Sequence, residues 1–352
     1  MKLNRRHFLR LSAAAAAALS LPRVAHAEAP EWRTYELDYQ VRLDPARGAA
    51  KLWLPLPQTD GDFQRVLSLQ YRGPESAAIR HEAHEDISIF HAAWDTPGTA
   101  REVQVTVKFA TRDRAVSLPS HSARTHIADD VAFYLQASPS LPTDGIVLDT
   151  ARRITRGAHS PLEKARAIYD WIVENTYRDP SVKGCGRGDI KSMLETNNLG
   201  GKCADLNTLF VGLARAVGVP AREFYGIRVG DAKQFTSLGK HGDISRAQHC
   251  RAEFWLAEAG WVPVDPADVR KAVLEEKLAL SDPRIVALRR KLFGAWEMNW
   301  VGLNRARDTR LAPPTQHALT FFMYPHAETA SGPLESHDPD AFGYRISSRL
   351  LS

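Results

Sequence analysis

Cysteine is scarce in this chain: there are three, Cys185, Cys203 and Cys250, in 352 residues. An odd number cannot be fully paired, so a scaffold held together by disulfides is excluded and at least one thiol is free. Long apolar runs are missing too, since the one alanine-rich stretch, Leu11 to Leu21, is far too short to span a bilayer. No membrane span is therefore expected in the processed chain. One-sided charge is absent once the N-terminus is set apart: Lys2, Arg5, Arg6, Arg10 and Arg23 account for the whole formal charge of +5. What remains has no electrostatic footprint for nucleic acid. Neither an internal repeat nor a low-complexity segment occurs beyond the first residues.

What is present begins with export. Residues 1–27 have a basic region, the short apolar stretch and the small-x-small pattern Ala25-His26-Ala27, which predicts cleavage before Glu28. Within them the pair Arg5-Arg6, followed by Phe8-Leu9 and Arg10, is the pattern read by the twin-arginine (Tat) export machinery. Arg23 beside the cleavage site suits that route. The expected location is the periplasm or beyond it, a compartment that tolerates disulfides.

The fold class expected is α+β. From Trp32 to about Ala115 apolar residues alternate, as at Tyr35, Leu37, Tyr39, Val41 and again at Val103, Val105, Val107, Phe109. Turn chemistry at Asp44-Pro45, Thr59-Asp60-Gly61 and Thr96-Pro97-Gly98 separates the runs, so residues 28–116 read as an antiparallel β-sandwich. Residues 117–154 form a connection without clear period. Residues 155–270 read as helices packed on an antiparallel sheet. Ser160-Pro161-Leu162-Glu163 opens one helix with an N-cap, a proline at the first position and a capping-box glutamate. A second carries Leu206, Leu209, Phe210 and Leu213 and stops at Gly218. Strands are expected over Ala221 to Val229, His249 to Leu256 and Trp261 to Val264. Residues 271–352 supply further helices, near Val269 to Ala279 and Pro283 to Leu292, and a strand from Leu319 to Tyr324, completing or flanking that core.

Cys203 stands in Gly200-Gly201-Lys202-Cys203-Ala204-Asp205, where a helical period begins. A thiol there meets unsatisfied backbone N–H groups and the positive end of the helix dipole, which favours the thiolate, and the same N–H groups could hold an oxyanion. Taken alone, a cysteine at a helix start is more often structural. The second element is a hairpin: Gln248-His249-Cys250 opens a strand that turns at Ala257 to Gly260 and returns as Trp261-Val262-Pro263-Val264-Asp265. The start of the first strand lies beside the end of the second, so Asp265 can reach the imidazole of His249, fix its tautomer and stabilise its charged form. These three residues could also bind zinc, yet a thiolate at a helix start beside a hairpin histidine fits a catalytic triad better.

Other patterns are weaker. His81-Glu82-Ala83-His84 is one residue short of a zinc-protease pattern and lies among strand signals, so it reads as a solvated loop. Gly184-Cys185-Gly186-Arg187-Gly188 lacks the spacing of a nucleotide fingerprint and reads as a tight loop near the cleft. No EF-hand loop is found. Neither a metal nor a cofactor is expected.

With these residues in view the chain resembles the transglutaminase-like superfamily of papain-like cysteine enzymes. The resemblance rests on Gly201-x-Cys203 before a helix, Gly218-Val219-Pro220-Ala221-Arg222 leading into a strand, His249 with Glu253 four residues on, and Gly260-Trp261-Val262-Pro263-Val264-Asp265-Pro266. It covers about Pro161 to Val269. It implies a triad of Cys203, His249 and Asp265 acting through an acyl-enzyme on amide or isopeptide bonds of a peptide, protein or cell-wall substrate. Two positions depart from the family: Arg251 stands where a tryptophan often follows the histidine, and Ala204 where animal transglutaminases have one. The rival reading is a silent fold kept as a binding or assembly module, whose sign would have been an altered triad. Hydrolysis is favoured over transfer because no tryptophan wall to exclude water is evident.

Reserving Cys203 for chemistry leaves Cys185 and Cys250, which either pair as a staple or stay buried thiols. Neighbouring strand residues face opposite ways, so Cys250 is expected to point away from the side where His249 meets Cys203.

Overall fold

The computed structural model describes residues 31–82, 86–95, 100–119 and 127–352. The expected signal over 1–27, His84 and the turn Thr96-Pro97-Gly98 lie outside them. In chain order the principal elements are strands β1 (Arg33–Arg42), β2 (Ala50–Leu56), β3 (Gln64–Arg72), β4 (Ala78–Glu82), β5 (Ile87–Trp94) and β6 (Glu102–Thr111), then helices α1 (Gly145–Ile154), α2 (Pro161–Asn175), α3 (Ile190–Glu195) and α4 (Cys203–Ala216). There follow β7 (Ala221–Arg228), β8 (Gln248–Leu256), β9 (Gly260–Val264), α5 (Pro266–Glu275), α6 (Pro283–Lys291), β10 (Trp300–Asn304), β11 (His326–Thr329) and β12 (Tyr344–Leu350).

The alternation in the first strands becomes cross-strand packing. Tyr35, Leu37, Tyr39 and Val41 of β1 stand opposite Phe109, Val107, Val105 and Val103 of β6, all buried. One sandwich sheet has the order Gly242–Asp243, β12, β1, β6, β3, and the other Gly332–Pro333, β11, β2, β5, β4. Leu52, Leu54, Phe90 and Ala92 of the second sheet share a buried cluster with the first. Both sheets thus recruit strands from the C-terminal region, which no local pattern marks.

A four-stranded antiparallel sheet, β9-β8-β7-β10, carries the helices. Helix α4 is buried on every side from Cys203 to Ala214, and it packs against α1, α2 and β8. The box at Ser160 forms, its hydroxyl accepting from Glu163 N–H while the Glu163 carboxylate accepts from Ser160 N–H. The chain leaves α4 through Gly218 at φ 79°. Helix α1 lies in the segment read as irregular, because only Val147, Thr150 and Ala151 of it are buried and so short a stripe gives no period. Helix α5 starts earlier than its apolar period, at Pro266, because the Asp265 side chain caps it by accepting from Asp268 N–H at 3.1 Å. His81 and Glu82 end β4 rather than a loop, and the Glu82 carboxylate accepts from Ala312 N–H.

Glu253 on β8 is wholly buried and gathers three guanidinium groups. Arg222 reaches it at 2.8 Å and Arg305 at 3.1 Å, and Arg114, just beyond the sandwich strands, closes the set. These cations hold its carboxyl well below the usual range against the opposing effect of burial. The cluster joins the helix-bearing sheet to the first segment of the chain.

Candidate active site

Cys203 begins α4 at the floor of a cleft of about 710 Å³ whose lining includes Cys185, Lys202, Arg228, Gln248 and His249. The approach to the helix start is narrow. Asp205, in the first turn, accepts from the N–H of Lys202, Arg187 and Gly188, each at 2.9 Å, and so ties the glycine loop to the helix. A Cβ on Gly186, where φ is 94°, would stand 1.9 Å from the Asp205 carboxylate, and one on Gly201 2.5 Å from its Cβ. Both positions require glycine for closeness of approach. Ala204 N–H donates to Cys185 O at 2.8 Å. Of residues 202–204 only Cys203 keeps its N–H uncommitted among the described hydrogen bonds.

His249 and Asp265 meet beyond the last paired residues of the hairpin, Ala252 and Val264, with Nε2 to Oδ2 at 2.7 Å and both residues buried. A carboxylate only accepts, so Nε2 carries the proton and Nδ1 is left for the thiol side. The Asp265 carboxylate is itself oriented by Asn207, whose Nδ2 donates to Oδ1 at 3.2 Å. Trp300 Nε1 donates to His249 O at 2.8 Å, holding the strand beneath the ring.

Cys250 does not turn away. It shares the buried cluster of Cys203 with Ala252, Phe254 and Leu256, so alternation along β8 holds and the correction is that this is the face α4 covers. Pairing of β8 with β9 begins only at Ala252, which leaves that flank of β8 unpaired at Cys250 among the described pairings. Asn207 Nδ2 takes up the exposed Cys250 carbonyl at 2.8 Å. All three thiols are free and buried, so no Cys185 to Cys250 staple is formed. Cys185 instead donates its Sγ–H to Gln248 O at 3.1 Å.

The charges follow from these contacts. The Cys203 thiol is pulled well below its ordinary range by the neighbouring thiols of Cys185 and Cys250, against burial and with help from His249. Cys185 is pushed up by its neighbour Cys203 and by burial, and Cys250 by burial and Cys203. Burial and Arg228 push the His249 imidazole down, yet the carboxylates of Asp268 and Asp265 prevail and raise it. Burial and the adjoining Asp268 raise Asp265, whereas Asp268 is lowered, burial being overcome by Arg228 and His249.

Asp268, Arg228 and Asn207 were not legible as site residues. Asp268 Oδ2 lies 3.4 Å from His249 Nε2, and its other oxygen takes Arg228 at 2.5 Å. Spacing could have found two of them: Asn207 is four residues after Cys203 on one helix, and Asp268 lies one turn into the helix that Asp265 caps. Nothing local points to Arg228. Arg251, where the family often has tryptophan, is buried with its guanidinium 4.6 Å from the Trp300 ring centre and 3.6 Å from Asp265 Oδ2. His249, Asp265 and Asp268 are close enough to suggest a cation site, but the Arg228 and Arg251 guanidinium groups already supply positive charge there.

A thiol at a helix start, beside a histidine held by a carboxylate on an antiparallel sheet, defines the class of papain-like cysteine folds. Residues 148–266 match the transglutaminase-like superfamily, and residues 2–22 match the signal sequence of the Tat pathway. An uncharacterized protein of Haemophilus influenzae is 41% identical over 324 residues, covering 87% of this chain and 88% of its own. A protein-glutamine gamma-glutamyltransferase of Pseudomonas aeruginosa is 25% identical over 255 residues, 68% of this chain, which spans only 33% of that relative's length. Among solved structures, a Cytophaga hutchinsonii protein described as a candidate cysteine protease superposes with a TM-score of 0.55 at 15% identity, over 91% of this chain and 98% of its own. The chain belongs to the transglutaminase-like superfamily, whose members are typically cysteine-dependent enzymes. Its Tat signal directs it to the periplasm, and no described helix is long and apolar enough to cross a membrane.

Proposed function

We propose that the protein is a periplasmic cysteine-dependent hydrolase of amide or isopeptide bonds in peptide, protein or cell-wall substrates, with Cys203 as nucleophile, His249 as base and Asp265 as the residue that orients it. The observation that carries this reading is the buried contact of His249 Nε2–H with Asp265 at 2.7 Å, which leaves the other ring nitrogen for a thiol already biased toward its charged form.

The Cys203 thiolate attacks the carbonyl carbon, and the developing oxyanion takes the uncommitted N–H of Cys203 itself. The imidazolium gives its proton to the leaving amine, and a thioester remains. Water then loses a proton to the imidazole as it attacks the thioester, releasing a carboxylic acid and restoring the thiolate and imidazolium. Asp265 stays ionised and steadies the charged ring throughout. Water is the favoured acceptor because no tryptophan is among the cleft's lining residues and many of them are polar.

Mass-mapped alkylation of the exported protein tests the nucleophile, with His249→Ala as control. Peptide and cell-wall substrates, each with and without an added primary amine, test the acceptor. An amine-linked product in place of the free acid would replace hydrolysis by transfer. If Cys203 reacts no faster than Cys185 and Cys250 and no substrate turns over, the fold is a binding or assembly module.

A further inference from the structure

The cleft above Cys203 carries an imbalance of charge. Of its 21 lining residues seven are lysine or arginine and two are aspartate. Much of that charge is neutralised nearby: two of the arginines are matched by those aspartates, and Arg228 by Asp268. The remainder is not. Arg178 and Lys271 share one carboxylate, Glu275, at 3.2 and 3.1 Å, although their side chains are only 15% and 16% exposed. Lys202, half-buried, and Lys240, exposed at the rim, make no direct ion pair among the described ones, although each acts at a distance on one carboxylate, Asp179 and Asp243 respectively. Arg178 and Lys271 are withdrawn from water around that one carboxylate, with Lys271 also donating to Ser237 O. Burial and then the neighbouring Arg228 guanidinium lower Lys271.

Resting on the proposed function of this same site, we infer that the acyl donor is an acidic peptide, with a carboxylate within about one residue of the scissile amide, and that Lys202 and Lys240 are the residues that select it. Lys202 directly precedes the nucleophile and lines the same cleft, and consecutive Cα atoms are about 3.8 Å apart, so its ammonium lies on the order of 10 Å from the reacting sulfur. An extended peptide advances roughly 3.4 Å per residue, which places a carboxylate next to the scissile carbonyl within reach of that ammonium. A cleft with low-dielectric walls focuses the field of such unbalanced charges onto its floor.

The test needs no knowledge of the natural substrate. Iodoacetate and iodoacetamide alkylate a thiolate by the same displacement of iodide and differ in one carboxylate. The ratio of their rate constants at Cys203 of the exported protein, followed by peptide mass mapping, reports the charge that the cleft presents. Replacing both lysines, Lys202→Met with Lys240→Met, is expected to lower that ratio about tenfold, about threefold for each cation acting across several ångströms of partly aqueous medium. Added salt at 0.5 M should lower the wild-type ratio in the same direction. Lys202→Arg should restore most of it in the Lys240 wild-type background, which separates loss of charge from a disturbed fold. An unchanged ratio in the double variant, with Cys203 still reactive toward both reagents, overturns the inference and leaves the hydrolase reading standing. Cys203 reacting no faster than Cys185 and Cys250 with either reagent removes the hydrolase reading itself, and the selection by charge with it.

Discussion

At Cys203 the charged thiolate is favoured by the thiols of Cys185 and Cys250, opposed by burial and favoured again by His249. An ordinary thiol with a pKa near 8.5 is only about 0.3% ionised at pH 6, so alkylation of Cys203 there should run up to about a hundredfold faster than that of a free cysteine derivative. His249→Ala and Cys250→Ala should each move the onset of reactivity to higher pH, since each removes a group that holds the thiolate. Mapped iodoacetamide rates between pH 5 and 9 check this, and a Cys203 that titrates with the model thiol sinks it. The imidazole offers a second measurement. Because Asp268 is the first of the groups that raise it, Asp268→Asn should lower the midpoint seen by NMR of the labelled His249 ring, so that the imidazolium is lost at a lower pH than in the wild type. A midpoint that stays or rises would show that the 3.4 Å contact does not act on the ring.

At the scale of elements, the hairpin β8-β9, the start of α2 and the end of α4 were legible because their signals are local: a period of two between turn residues, a capping proline, a glycine stop. His249 and Asp265 could be paired because a hairpin brings the start of one strand near the end of the other, although the ladder itself stops at Ala252 and Val264. What escaped reading came from elements far apart in the chain. Arg228 reaches Asp268 only because β7 lies beside β8, and Cys250 meets Cys203 only because α4 packs on that face of β8. The cluster around Glu253 is of the same kind, with cations drawn from three segments, and it makes a prediction about stability. Glu253→Gln leaves Arg114 and Arg222 without their buried counter-charge, while Arg305 keeps Asp60, and should cost about 3–5 kcal/mol, read from urea unfolding at pH 7. The carboxyl is depressed in the folded state, so its stabilisation is complete above the unfolded value near 4.3 and is lost as pH falls toward the folded one. The gap between wild type and variant should therefore narrow only in strong acid. A variant as stable as the wild type at pH 7 would make the cluster ornamental.

For the whole molecule, the export route and the state of the cysteines constrain one another. The two sandwich sheets close only when β11 and β12, near the C-terminus, pair with β2 and β1, so the fold cannot be completed until the last strands are made. A route that reads the Arg5-Arg6 pair and carries folded cargo suits such a chain, and Arg5→Lys with Arg6→Lys should leave the precursor in the cytoplasm, detected by fractionation and blotting. Folding before export takes place under reducing conditions, where disulfides are not maintained. The structure agrees: Cys185, Cys203 and Cys250 are buried and free, and Cys185 uses its thiol hydrogen on Gln248 O. A disulfide closing a loop typically contributes about 2–4 kcal/mol, which in a domain of this size shifts the melting temperature by several degrees. Protein recovered from the periplasm should accordingly melt at the same temperature with and without dithiothreitol, and non-reducing peptide maps should show three alkylatable thiols after denaturation. A fall in melting temperature on reduction, with a Cys185 to Cys250 peptide in the map, would show that the compartment adds a staple after folding. A link from Cys203 to either neighbour would show something different, an oxidised nucleophile whose activity returns with reductant.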